Sequence, residues 1–227
     1  MYKTLRLSSH LDYSTKLIQR ENSMLKHFLF FILVIASLGD LLVPVIIGTK
    51  YPNYNHLIQT ISTLGTKSSP VQLYQRVNLI VVGVLFLLFS IGQHLLFDQK
   101  NWAHNWYAIG IIIFGIGCIL AGVFPEDIQG VPETTGGKIH GIASGIGFVL
   151  LTMCPLWAVW INELHDCKII NLILFVLGLL TFVLFTLSEN RTSGFLKYTG
   201  LFQRVYLIIL YGALIINFQK LAIYYNT

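Results

Sequence analysis

The sequence predicts an all-α polytopic membrane protein: a bundle of six transmembrane helices with a short interfacial helix after the first. Three observations carry this reading. The 227 residues are 55% hydrophobic and only 11% charged, against about 25% charged in a soluble domain. The apolar residues gather into six runs, each long enough to cross a hydrocarbon core about 30 Å thick as a helix. The connections between runs are too short to hold a second domain. Residues 25–227 therefore read as one membrane domain behind a basic juxtamembrane segment, 1–24.

The first run, 25–48, is too long for a signal peptide, and no small-residue cleavage site follows it; it reads as a retained helix. In the loop that follows, "NHLIQTISTLG" places Leu57, Ile61 and Leu64 at i, i+4 and i+7, one face of a short helix that Gly65 ends. Such a piece lies along the membrane surface or plugs the end of the bundle. Ser69 then has the chemistry of an N-cap and Pro70 fits the first helical position, opening the second run, 73–97. Runs three and four, 102–124 and 139–161, form a hairpin. Trp102 and Trp106 open one and Trp157 and Trp160 close the other, an aromatic belt at one interface. The fifth and sixth runs are 168–187 and 201–224. Cys118 and Cys154 fall within spans and Cys167 in a short loop, which does not resemble a disulfide framework.

Alternation of the spans places the short loops 98–101 and 162–167 on the face of the termini. The longer loops 49–72, 125–138 and 188–200 share the opposite face. Lys3, Arg6, Lys16, Arg20 and Lys26 favour a cytoplasmic N-terminus by the positive-inside rule and suit anionic headgroups. Lys100, Lys168 and Lys220 add to that face. Seven basic residues on the loop face, among them Lys138 and Arg191, nearly balance them, so the orientation rests on the N-terminal segment. This predicts a cell-membrane protein with both termini cytoplasmic and membrane lipids as partners. Nucleic acid is not an expected partner, because the charges lack a reading motif. The triplet "NRT" at 190–192 fits a glycosylation pattern and carries no function here.

Polar groups inside apolar runs are costly and mark the places to look. Asp40 lies eight residues before Gly48, about 12 Å from that helix end. It is either a structural hydrogen-bond acceptor or a catalytic, proton-relay or ligand-binding carboxylate. His140 and Ser144, in "KIHGIASGIG", share one helical face among glycines that admit a close neighbour. Either they make a tightly packed helix entrance, or His140 is a base with Ser144 as partner. Asp40, His140 and Ser144 are thus the catalytic candidates. No metal site is expected: His56 and His140 have only Glu126, Asp127 or Asp40 to join them, and no H-E-x-x-H spacing occurs. Which cofactor, if any, the protein uses is not legible in the sequence.

Two octets, "LYQRVNLI" from Leu73 and "LFQRVYLI" from Leu201, place Arg76 and Arg204 at helix starts, where the dipole disfavours a cation. Snorkelling to headgroups is one answer. The other is a lining of the loop-face mouth, in which Arg76, Arg204, Gln75 and Gln203 hold acidic loop residues or an anionic, lipid-like amphiphile. Tyr211, His56 and Asp127 would extend that ligand-binding set.

The segments "HLIQTISTLGTKSSP", "GVFPEDIQG…KIHGIAS" and "YTGLFQRV", in that order, resemble the prokaryotic membrane proteins grouped as domain of unknown function 998. The resemblance runs from Leu25 to Asn217. It implies a six-helix membrane domain and a prokaryotic source, and it supplies no activity or catalytic residue. Three functions stay open: a pocket at the non-cytoplasmic mouth for an anionic lipid-like ligand, an intramembrane hydrolase of a lipid or amide, and a scaffold subunit without a pocket. Convergence of the polar residues on one cavity favours the first two, and scatter towards lipid favours the third.

Overall fold

The computed structural model describes residues 2–97, 101–128, 132–189 and 191–225, with 2–20 as backbone only. The side chains of Lys3, Arg6, Lys16 and Arg20, all of Lys100, and Asn190 of the NRT triplet lie outside the described residues. Six helices build the bundle: α1 Tyr2–Gly48, α2 Gln72–Leu96, α3 Trp102–Val123, α4 Thr135–Ala158, α5 Lys168–Ser188 and α6 Thr199–Tyr224. All six are long and apolar enough to cross a membrane, α1 through Glu21–Gly48. The shortest, α5, has 21 residues and rises about 31 Å, which matches the hydrocarbon core.

The outward faces are apolar. Ile169, Ile173, Val176 and Leu180 of α5 are exposed, as lipid-facing residues of a membrane helix should be. Inside, α3 packs closely against α2 and α4, and glycine makes this possible. A methyl group on Gly117 would stand 2.8 Å from the Ala143 carbonyl oxygen of α4, and one on Gly115 would stand 2.8 Å from that of Gly83 in α2. With little hydrophobic drive between helices in lipid, such close backbone contact supplies the dispersion energy that holds them.

The terminal face is closed by α1 and α6, where Lys26 Nζ donates to the Tyr225 carbonyl at 3.1 Å. The four tryptophans share this face as expected: ring centroids of Trp102 and Trp160 are 5.6 Å apart, and those of Trp106 and Trp157 5.9 Å.

The opposite face differs from expectation in two details. The interfacial helix is only a 3₁₀ turn, Ser62–Gly65, and it plugs the bundle end, with Ile61 and Leu64 buried and Leu57 exposed. Ahead of it, Gly200 and Leu201 donate their N–H groups to Ile58 O and Leu57 O. These long-range bonds satisfy first-turn donors of α6, and they use carbonyls that a longer loop helix would need. Likewise α2 starts at Gln72, with Val71 as N-cap, rather than at Pro70. The Ser69 hydroxyl accepts from Val71 N at 3.3 Å, a local turn that delays the helix.

Candidate functional site

The two arginines frame the site. Arg76 donates from Nε to Gly122 O at 2.8 Å and from Nη2 to Val123 O at 2.7 Å. Those are terminal carbonyls of α3, at the negative end of its dipole, where a cation is favourable. Arg204 Nη1 donates to the carbonyls of His56 at 2.6 Å, Gly200 at 2.9 Å and Gln59 at 3.2 Å, and Nη2 donates to Tyr54 Oη at 2.9 Å. The expected acidic loop partners are replaced by main-chain carbonyls and a phenol. A guanidinium has enough donors to gather several carbonyls at once. Glu126 instead sits half-buried beside Thr60 and is pushed up to about 7 by burial and then by nearby Glu189. His56 lies edge-on to Tyr54, with centroids 4.9 Å apart, and its imidazole is held below its ordinary value by burial and then by Arg204.

Asp127 serves the start of α4. It accepts from Thr134 N at 2.7 Å and Thr134 Oγ1 at 2.8 Å, which holds it below the usual carboxylate range. Thr134 in turn accepts from Gly137 N at 3.1 Å, so the pair sets the first turn of α4 and the angle at which His140 enters the bundle.

His140 Nδ1 lies 2.9 Å from Phe124 O and 3.3 Å from Ala121 O. Both oxygens only accept, so Nδ1 carries the proton. Neutral imidazole then presents a lone pair at Nε2. The atom facing it is Ser62 Oγ, 3.2 Å away, and the hydroxyl is therefore the donor. The carbonyls that fix the tautomer lie at the same end of α3 that Arg76 holds. Ser62 comes from the plug, His140 from α4 and the orienting carbonyls from α3: three separate elements build one hydroxyl–imidazole pair.

A cavity of about 30 Å³ lies beneath this pair, with Asp40, Ser62, Ser144 and Gln203 as its polar lining and Phe114, Cys118 and Phe148 among the apolar walls. That is room for about two waters. Gln203 Oε1 accepts from Ile61 N at 2.7 Å, so the free end of its amide is the NH₂ group. Asp40 is 4% exposed. Its Oδ2 accepts from Tyr211 Oη at 2.6 Å, and its Oδ1 has no partner.

Asp40, Ser144 and Gln203 thus meet at one cavity, with His140 joined through Ser62 and Tyr211 through Asp40. Arg76, Arg204, Gln75, Asp127 and His56 are not among the cavity's lining residues. Gln75 is fully buried with both amide atoms unpartnered. Sequence reasoning missed Ser62. It sat inside "QTISTLG", where only the apolar period was counted; a hydroxyl beside a buried Ile61 was the available signal. Among the described residues no three His, Cys, Asp or Glu side chains gather closely enough to hold a metal ion. Cys118, Cys154 and Cys167 are free, buried thiols.

No curated protein and no solved structure matches the chain significantly. A family model described as "Protein of unknown function (DUF998)" matches residues 34–218, from the middle of α1 through most of α6, including the plug, the hydroxyl–imidazole pair and both arginine octets. The chain is a multi-pass membrane protein and belongs to the DUF998 family.

Proposed function

We propose that this protein is an intramembrane hydrolase acting on an acyl bond of a lipid-like amphiphile, with Ser62 as nucleophile and His140 as general base. The observation that carries the reading is the tautomer: two carbonyls hold the proton on Nδ1 and leave Nε2 to receive the Ser62 proton. An orienting acceptor behind the base is the logic of a catalytic triad, here supplied by main-chain oxygens. In acylation, Ser62 Oγ attacks the acyl carbon and its proton passes to His140 Nε2. The bond to the leaving group breaks and that group takes the proton. Water then repeats the sequence against the acyl-serine. The Gln203 NH₂ group is the side-chain donor available to a developing oxyanion. With the basic N-terminal segment cytoplasmic, the site opens on the non-cytoplasmic leaflet.

The test is labelling of the purified protein in nanodiscs by a lipophilic fluorophosphonate. Wild type is expected to label at a single serine, Ser62→Ala not at all, and His140→Ala about a hundredfold more slowly or worse. Thermal melts of each variant establish that it is folded. Ser62→Ala labelling at the wild-type rate ends the hydrolase reading.

A second reading, a binding site for an anionic amphiphile on Arg76 and Arg204, is favoured by one atom. Arg204 Nε is buried without a partner. The other donor contacts of Arg204 hold the loop, so an anion there must displace carbonyls. Copurified anionic lipid that disappears in Arg204→Lys would support this reading over catalysis.

A further inference from the structure

The cavity contains one group that serine chemistry does not use. Asp40 is nine-tenths buried and is one of the cavity's lining residues, and its Oδ1 has no hydrogen-bond partner among the described residues. Tyr211 Oη donates to the other oxygen at 2.6 Å. A buried carboxylate left half-satisfied needs a donor, and a cation answers it best. The nearby Arg204 is bonded to the loop carbonyls and Tyr54, and no ion pair to Asp40 occurs among the described residues. The space is the size of a couple of waters, too small for a phosphate and suited to an ammonium group, so the chains of an amphiphile have to lie outside it.

We propose that Asp40 Oδ1 is the binding subsite for the primary ammonium or amine head of an amphiphile. The hydroxyl of Ser144 lies beside the same space and accepts a remaining N–H bond. The substrate half of this inference rests on the Ser62–His140 reading: there it makes the scissile bond an amide. As the Oγ–C bond forms, the C–N bond breaks. The nitrogen takes the proton carried by His140 and a second from solvent, and leaves as an ammonium that Asp40 holds.

Dodecylamine is the probe, with dodecanol as the neutral match, titrated into protein in nanodiscs and read by thermal shift in a sodium-free buffer. Wild type is expected to be stabilised by the amine and not by the alcohol. Asp40→Asn keeps an oxygen for Tyr211 and is expected to bind the amine about tenfold more weakly or worse. Ser62→Ala is expected to keep the amine response. It therefore separates the two proposals: lost phosphonate labelling with an intact amine response concerns the nucleophile, whereas normal labelling with no Asp40-dependent response sinks the ammonium site alone. Should Asp40→Asn fail to fold, carbodiimide coupling of dodecylamine to the wild-type protein is expected to place the adduct on Asp40 by mass spectrometry, and its absence there overturns the proposal. Equal amine shifts in wild type and Asp40→Asn overturn it. So does a shift of the same size from sodium chloride alone, which would make the occupant an alkali ion.

Discussion

Residues 73–80 and 201–208 share Leu, Gln, Arg, Val, Leu and Ile in register, and both octets lie near the loop-face starts of their helices, α2 and α6. Arg76 reaches the end of α3, whereas Arg204 ties down residues 54–59, the stretch of loop that leads into the plug. The glutamines diverge further. Gln203 fixes Ile61 of the plug and lines the cavity, while Gln75 is sealed in with neither amide atom bonded. One local sequence thus does two jobs, because a guanidinium takes whatever orphan carbonyls the neighbouring backbone offers. The α6 copy organises the site, and the α2 copy supports the helix end that orients His140.

Breaking this pair unequally tests the comparison. Arg204→Ala leaves three carbonyls and Tyr54 without their donor, and is expected to cost about 3 kcal/mol or more. Protease cleavage within residues 54–61 should become faster at the same time. Arg76→Ala removes two bonds and is expected to cost about 2 kcal/mol, with the plug still protected. Equal loss of plug protection in the two variants would refute the division of labour. Thermal melts in one detergent read the stability losses, and limited proteolysis in the same detergent reads the protection of the loop.

The glutamines sharpen the contrast. Gln203→Met orphans the Ile61 N–H and should cost about 1 kcal/mol. Gln75→Met removes two unsatisfied polar atoms at similar volume and should be neutral or slightly stabilising. A large loss for Gln75→Met would mean that its amide has a partner after all.

The smallest effect is pH-dependent. Glu126 holds its proton more tightly in the fold than its ordinary value of 4.5 would imply, up to about 7. Its contribution is present in full below 4.5 and is lost as pH rises towards 7. Glu189 is raised by burial as well and acts with the same sign; His56, held below 6.5 by burial, opposes them over the acid half of the range, and Asp127, lowered by Thr134, matters only in stronger acid. Melting points measured from pH 5 to pH 8 should fall by the equivalent of about 1 kcal/mol, discounted for partial exposure. Glu126→Gln should flatten the slope.

How much of this was legible beforehand follows from the range of each interaction. The six spans, the shared tryptophan face and the costly Asp40, His140 and Ser144 were readable, because hydropathy and helical period are local. Ser62 was not: its importance comes from His140, far along the chain, and from α3 carbonyls that no side-chain motif records. The partners of the arginines were hidden for the same reason, since every residue carries a carbonyl and sequence does not say which ones the fold leaves unbonded. The length of the plug helix was overestimated because its apolar period was real while its carbonyls were bonded elsewhere.

By itself the sequence determined that this chain crosses a membrane with six helices and carries a carboxylate, a histidine and two arginines near one face, the first two buried and the arginines half-buried. Burial of those groups follows from the bilayer, which penalises any span that cannot shelter its polar atoms. Only the tertiary structure decided which atoms answer each other: carbonyls to the arginines, a loop serine to His140, and a small polar cavity beside an oxygen of Asp40 that still lacks a donor. Hydrogen bonds act over about 3 Å, so their pairing exists only once separate helices have been brought together.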